Sequence, residues 1–341
     1  MVAVDPSGFE ASGIVPTGLP SFELHRPSEL GEALQLLAAG GRALAGGTDL
    51  LGLMKDGIAA PPALVELRGL AELQTIAVVE GGLRIGAGVK LRTLIESATV
   101  GTWCAALADA ASQVGSPQIR NMATVGGNLC QKPRCWYYRS RFFLTAKEGG
   151  DICFAQEYDT LQHGAARPTC VAAHPSDLAP VLLAAEATMR IASTRGDRTL
   201  SAEEFFETNI VADETAMQPD ELLVSVEVPA APEGQGMAFL KIEERDSWGF
   251  ASVSVAAALR MSGETVEEAR IGVGSLARLP FRARAAEEYL AGRRLSEATL
   301  TEAGQRTVQR VFLTADHIHK GEIAVALIRR ALQAAARSCS P

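Results

Sequence analysis

The stretch Ala43-Leu44-Ala45-Gly46-Gly47-Thr48-Asp49-Leu50-Leu51 places two adjacent glycines between a strand and the start of a helix. With no Cβ in the way, such a turn lets backbone N–H groups come close to an anionic ligand, and a pyrophosphate suits it. An inward-pointing Asp49 would repel that ligand, so its expected job is to cap the following helix. Taken alone, the loop reads equally well as an ordinary tight turn. A second loop, Ile119-Arg120-Asn121-Met122-Ala123-Thr124-Val125-Gly126-Gly127-Asn128-Leu129, repeats the glycine pair beside small and polar residues. Two such loops can clasp one dinucleotide.

Around the first loop the pattern reads as β-α-β. Ser28 is placed to cap a helix running to Leu37, residues 42–45 read as a strand, and Leu50 to Met54 opens another helix. Leu73 to Val79 and Leu83 to Ile85 read as a hairpin, and Trp103 to Val114 as an amphipathic helix. A helix is expected from Leu178 to Ala185, capped by Ser176 or Asp177, followed by strands near Thr188 to Ser193 and Leu222 to Val228. The segment from Ala230 to Gly236 is the best linker. Beyond it, Ser252 to Arg260 and Ala269 to Val273 read as strands, and Ala283 to Leu290, Leu300 to Phe312 and Gly321 to Ala336 as helices. The expected organisation is an extension over 1–21, a domain over 22–229 with an irregular insert at 130–173, and an α+β domain over 237–341.

The 341 residues carry 32 Lys and Arg against 40 Asp and Glu, a net charge of −8, with no basic run of the kind that tracks nucleic acid. Apolar stretches fall well short of the roughly 20 residues that span a bilayer. The start lacks the cationic and apolar regions of a signal peptide, so a cytoplasmic location is expected, or the periplasm if a partner carries the targeting signal.

Four of the six cysteines, Cys130, Cys135, Cys153 and Cys170, crowd into the polar, aromatic insert with spacing C-x4-C-x17-C-x16-C. Paired C-x2-C knuckles are absent, yet thiolates from a loop-rich segment suit an iron–sulfur cluster, and zinc stays open. Four unrelated buried thiols would be the bland account, but a free cysteine normally behaves as a small core hydrophobe. Gly272, Gly274 and Ala277 form a G-x-G-x-x-A, but Pro280 follows at once and forbids the phosphate-holding helix, so this reads as a strand end. His317 and His319 sit on different faces of a helix. Lys241 reads as an exposed strand lysine or one meeting the edge of a ring ligand. No Ser-His-Asp set, Walker loop or HExxH helix is present, which leaves redox chemistry rather than hydrolysis or phosphoryl transfer.

The residues Ala45 to Leu50, the run Ile119 to Leu129, and Pro175-Ser176-Asp177-Leu178-Ala179 resemble the FAD-binding medium subunit of the molybdenum hydroxylases, over about Phe22 to Ala336. The resemblance implies an α+β, PCMH-type FAD fold of two subdomains, followed by a C-terminal α+β flavoprotein domain. It implies that Ala45, Gly46, Gly47, Thr48, Asp49 and Leu50, with Ala123, Thr124, Gly126, Gly127 and Asn128, hold the FAD diphosphate and ribityl chain. Asp177 matches an aspartate near the flavin, and Leu223 and Lys241 match positions on or near the ring. No catalytic residue is carried over.

The insert resembles a subgroup, including aldehyde oxidoreductases and a benzoyl-CoA-type reductase, whose flavin subunit holds an extra 4Fe-4S cluster. Cys130, Cys135, Cys153 and Cys170 are the candidate ligands. Where such inserts carry a further cysteine beyond Cys135 this chain has Leu144-Thr145-Ala146, so Cys130 is called on as a substitute. The implied role is an electron-transfer subunit of a complex with a large molybdenum-cofactor subunit and a small subunit bearing 2Fe-2S clusters, delivering electrons to an external acceptor such as NAD, a quinone or oxygen. The alternatives are a non-catalytic zinc-binding scaffold subunit and a stand-alone FAD oxidase.

Overall fold

Ala33, Leu34 and Leu37 recur at helical spacing and form the buried face of helix α1 (Leu30–Ala38). Its N-cap is Glu29 rather than Ser28, whose N–H instead donates to Glu32 Oε2 at 3.2 Å. The helix lies beside a parallel three-stranded sheet of β1 (Glu23–His25), β2 (Arg42–Leu44) and β3 (Ala63–Glu66), in the order β1-β3-β2. Helix α2 (Leu50–Lys55) follows the first glycine loop. The computed structural model describes residues 18–140, 144–156, 170–245 and 248–339, so most of the N-terminal extension and part of the insert lie outside it.

The second subdomain is an antiparallel sheet assembled from distant segments. Strands β4 (Ile76–Val79) and β5 (Gly82–Gly86) pair with β6 (Thr188–Ser193), β7 (Gly196–Ser201) and β8 (Leu222–Pro229) in the order β4-β5-β8-β6-β7. Leu73, expected at a strand start, ends up in a 3-10 turn (Ala71–Gln74), because Leu70 and Leu73 are both buried and their i, i+3 spacing suits a helical turn. Between β5 and β6 come α3 (Leu91–Glu96), α4 (Ala98–Ser112), α5 (Pro117–Met122), α6 (Val125–Leu129), the insert and α7 (Leu178–Ala184). Helix α4 begins before the expected Trp103, capped by Ser97, and is broken at Cys104 (φ −156°, ψ 72°). The described insert holds only two 3-10 turns, Ala146–Glu148 and Phe154–Gln156. Helix α8 (Ala202–Phe206) joins β7 to β8.

The C-terminal sheet runs β12-β11-β10-β9, from β9 (Gly236–Glu243), β10 (Ala251–Ser262), β11 (Thr265–Gly274) and β12 (Phe281–Arg282). Its core is closed by α9 (Arg284–Leu290), α10 (Glu297–Val308) and α11 (Ile318–Ser338). Every residue of α7 is buried, as expected of a helix that is apolar all round. It packs on β11 so tightly that a Cβ on Gly272 would lie 2.0 Å from Pro180 O. The Gly272/Gly274 pair therefore serves helix–sheet packing, in keeping with the strand end read from Pro280. No helix among the described residues is long and apolar enough to cross a membrane.

Candidate functional site

The two glycine loops meet. A Cβ on Gly46 would lie 2.0 Å from Met122 O and 3.1 Å from Ala123 Cα, so the backbones touch only because Gly46 has no side chain. Gly47 has φ +72°, the left-handed region, and its absent Cβ would meet Leu51. The glycine pair is thus required first by the loop itself and by the contact between loops. Beside this junction opens a cleft lined by Ala45, Gly46, Gly47, Thr48, Asp49 and Leu50 from the first loop, Thr124, Gly126 and Gly127 from the second, and Leu223.

The loops differ in what they can offer a ligand. The N–H groups of Gly47, Thr48 and Asp49 donate to no backbone acceptor among the described residues. In the second loop, Gly126 N donates to Ala87 O (2.8 Å), Val125 N to Val89 O (2.9 Å) and Gly127 N to Thr124 Oγ1 (3.1 Å). Its amides are used in holding α6, so it forms a wall while the first loop presents donors.

Asp49 occupies the N-cap position of α2 but makes no capping hydrogen bond, which corrects the expected role. Its carboxylate turns toward the insert instead, accepting from Lys132 N (2.8 Å), Arg139 Nη2 (2.7 Å) and Arg134. Burial raises its pKa, but Arg134, the Lys132 amide and Arg139 outweigh that and hold the carboxyl below its usual value.

Of the other expected contacts, Ala123, Asn128, Asp177 and Lys241 do not line the cleft. Asn128 Oδ1 accepts from Ser176 Oγ (2.6 Å), and Ser176 Oγ in turn caps α7 by accepting from Ala179 N (3.1 Å). The second loop is thereby locked to the Pro175-Ser176-Asp177 segment. Asp177 and Lys241 are an ion pair at 2.9 Å, 4% and 1% exposed, so Lys241 is not a solvated strand lysine. Burial pushes Asp177 up to about 6 against the opposing pull of Lys241.

Sequence reading missed part of the wall. Ala87 and Gly88 line the cleft, as do Lys132, Glu214, Gln218 and Glu221. The Gly86-x-Gly88 pair at the end of β5 was a usable signal, since a Cβ on Gly86 would lie 2.3 Å from Leu73 O and one on Gly88 2.4 Å from Gln74 Nε2. For Glu214 no local pattern exists. It is 4% exposed, pairs with Lys147 and Lys132, and its Oε2 has hydrogen-bond geometry to no described donor.

The four candidate cysteine ligands separate. Cys135, Cys153 and Cys170 line one small cavity with Tyr138, Thr145 and Lys147, whereas Cys130 lines the glycine-loop cleft, where burial pushes its thiol up to about 11. The Cys170 thiol donates to the Cys153 sulfur, which holds Cys153 down to about 5 and drives Cys170 up. Leu144, at the position of the missing cysteine, is 66% exposed. No group of three or more metal-ligating side chains among the described residues is arranged around a metal position. Cys130 is therefore no substitute ligand here, and the four-thiolate set does not fit a four-iron cluster.

Residues 20–231 match the family model described as the FAD binding domain in molybdopterin dehydrogenase, and residues 238–341 match the CO dehydrogenase flavoprotein C-terminal domain. The chain is 34% identical over 281 residues to the aldehyde oxidoreductase FAD-binding subunit PaoB of Escherichia coli K12, covering 80% of this chain and 86% of that protein. It is 28% identical to the carbon monoxide dehydrogenase medium chain of Hydrogenophaga pseudoflava, covering 94% and 99%. The solved structure of carbon monoxide dehydrogenase from that organism superposes with a TM-score of 0.76 over 94% of this chain and 99% of that chain. The two contacting glycine loops and the cleft beside them lie within the matched FAD-binding domain, and the chain belongs to the family of FAD-binding medium subunits of the molybdenum hydroxylases.

Proposed function

We propose that this chain accepts electrons from an iron–sulfur partner subunit, after a molybdenum-cofactor subunit has oxidised the substrate, and releases them to an external acceptor. One observation carries the reading: a cleft where the N–H groups of Gly47, Thr48 and Asp49 have no backbone acceptor among the described residues lies at a glycine-only contact between loops. The residues fit FAD, since the N–H groups of Gly47, Thr48 and Asp49 have no backbone acceptor among the described residues and the cleft beside them is lined by the small residues Ala45, Gly46, Gly47, Gly126 and Gly127.

In this arrangement the first-loop amides would hold the diphosphate, with Gly126 and Gly127 forming a further part of the wall. Leu223 would offer the ligand an apolar surface, and Glu214 and Gln218 polar groups. The Asp49 carboxylate, turned away into Arg134 and Arg139, leaves the diphosphate free of repulsion. Bound FAD supplies the exchange between one-electron and two-electron transfer. The chain's own contribution is binding, orientation and a fixed electrostatic setting.

The iron–sulfur and molybdenum groups of this reading belong to partner subunits, and no electron step is routed through the insert. A visible spectrum with flavin, iron and zinc analysis on anaerobically purified protein tests it. About one FAD and no iron per chain is expected; folded protein that retains no FAD would move the reading to a scaffold subunit.

A further inference from the structure

Lys147 is 3% exposed and reaches two places at once. It lines the cavity formed by Cys135, Cys153 and Cys170, and its ammonium bonds Glu214 and, at 2.9 Å, Val211 O. Glu214 is a wall residue of the dinucleotide cleft. From the other side Lys132 Nζ approaches Glu214 Oε2 at 2.5 Å and donates to Ala212 O at 2.8 Å. The course of the 211–214 segment is thus set by two lysines of the insert, and the same segment forms the cleft's rim.

A lysine with its charge taken out of water is costly unless its partner needs it. A structural filler at position 147 would more simply be apolar. What an ammonium adds is a fixed orientation for the Glu214 carboxylate, one oxygen of which meets Lys147 and the other Lys132, in the wall of the cleft.

We propose that Glu214 is a positioning residue for the bound dinucleotide, and that Lys147 links it to the thiol cavity, so that the state of those thiols alters how tightly the cleft holds its ligand. The inference rests on the cleft taking FAD. Linkage has a converse: ligand in the cleft shifts any reversible change of state at those thiols by the same free energy, and the contact through Lys147 carries the effect to their reactivity as well.

The test uses the full chain, stripped of any iron by chelation, with FAD as ligand and iodoacetamide as thiol probe. Alkylation of Cys153 and Cys135 is followed by mass spectrometry with and without FAD, and FAD dissociation constants are measured before and after alkylation. In the wild type both ratios should differ from unity, that of the dissociation constants by about fivefold or more, the lower end of ordinary coupling between sites. Lys147→Met should bring both ratios to one while FAD still binds, and Lys147→Arg should restore them. Glu214→Gln should weaken FAD about tenfold, as loss of a charge-assisted hydrogen bond does. Equal alkylation rates with and without FAD, or coupling that survives in Lys147→Met, overturns the inference while leaving the FAD reading intact. A folded chain that takes up no FAD overturns both.

Discussion

Gly46 and Met122 are in backbone contact: a Cβ on Gly46 would sit 2.0 Å from the Met122 carbonyl oxygen, a distance no real structure tolerates. The two loops that frame the cleft are consequently one unit, and the first cannot take even alanine without moving the second. Gly46→Ala should lower stability by about 2–3 kcal/mol, toward the upper end of point-mutant effects, and should release FAD. At Gly47 the neighbour is the flexible Leu51 side chain, so Gly47→Ala carries mainly the left-handed backbone strain of about 1–2 kcal/mol. Thermal unfolding together with flavin content distinguishes them; equal, mild effects at both positions would remove the close-contact argument.

Asp49 fixes the insert to the first loop through Arg134, Arg139 and the Lys132 amide. Removing one partner of a largely buried charge cluster leaves the others uncompensated and costs about 3–5 kcal/mol. Asp49→Asn keeps the amide contact but loses the charge, so the expected result is an insert cleaved faster by trypsin between residues 130 and 156, with FAD bound more weakly. Unaltered cleavage would mean that other contacts anchor the insert.

How much of this was legible in the sequence follows from the range of each signal. The glycine loops and the apolar runs of β6, β8, β10 and α7 carry local periodicity or turn chemistry, and they gave fold class and cleft together. The Asp49 error came from local reasoning too: an aspartate before a helix reads as a cap, and only the distant Arg134 and Arg139 take its side chain elsewhere. The default reading of Lys241 as an exposed strand lysine failed for the same reason, since its burial depends on Asp177, which is far away in the chain. The four cysteines do not converge, because sequence proximity within an irregular insert fixes no common direction, and Cys130, at the end of α6, follows the second loop into the other cleft.

His174 offers a pH test with an unusual sign. Its Nε2 meets Leu129 O at 3.1 Å and Ser176 N donates to Nδ1 at 3.3 Å, an arrangement suited to the neutral ring with its proton on Nε2. Burial pushes its pKa down to about 3, so between about pH 3 and 6.5 the unfolded chain binds the extra proton and stability rises with pH. Asp177, raised to about 6, does the opposite: between about pH 4 and 6 the folded chain binds the extra proton and stability falls as pH rises. Each slope is at most about 1.4 kcal/mol per pH unit, and over their shared window they oppose each other. Their summed contribution in the wild type should be nearly flat from about pH 4 to 6 and should drop below that. His174→Gln leaves the Asp177 slope alone, so its urea midpoint should fall relative to wild type as pH rises through that window. Parallel pH profiles for the two proteins would show that His174 does not titrate with folding.

Lys241 holds together two parts of the chain. Its ammonium meets Asp177 Oδ2 at 2.9 Å, Glu243 at 3.1 Å and the carbonyl of Gln113 at 2.9 Å, so it joins β9 to the start of α7 and the end of α4. Lys241→Met would leave the Asp177 and Glu243 carboxylates facing each other without a cation, which pushes Asp177 higher still and costs about 3–5 kcal/mol. Asp177→Leu removes the buried charge and leaves the ammonium with Glu243 and the carbonyls, a smaller loss. If the pair is a unit, the double variant should be more stable than the sum of the single losses predicts, with a coupling above about 1 kcal/mol in a double-mutant cycle. Additive losses in urea unfolding would mean that Glu243 and the carbonyls, rather than Asp177, hold the ammonium in place.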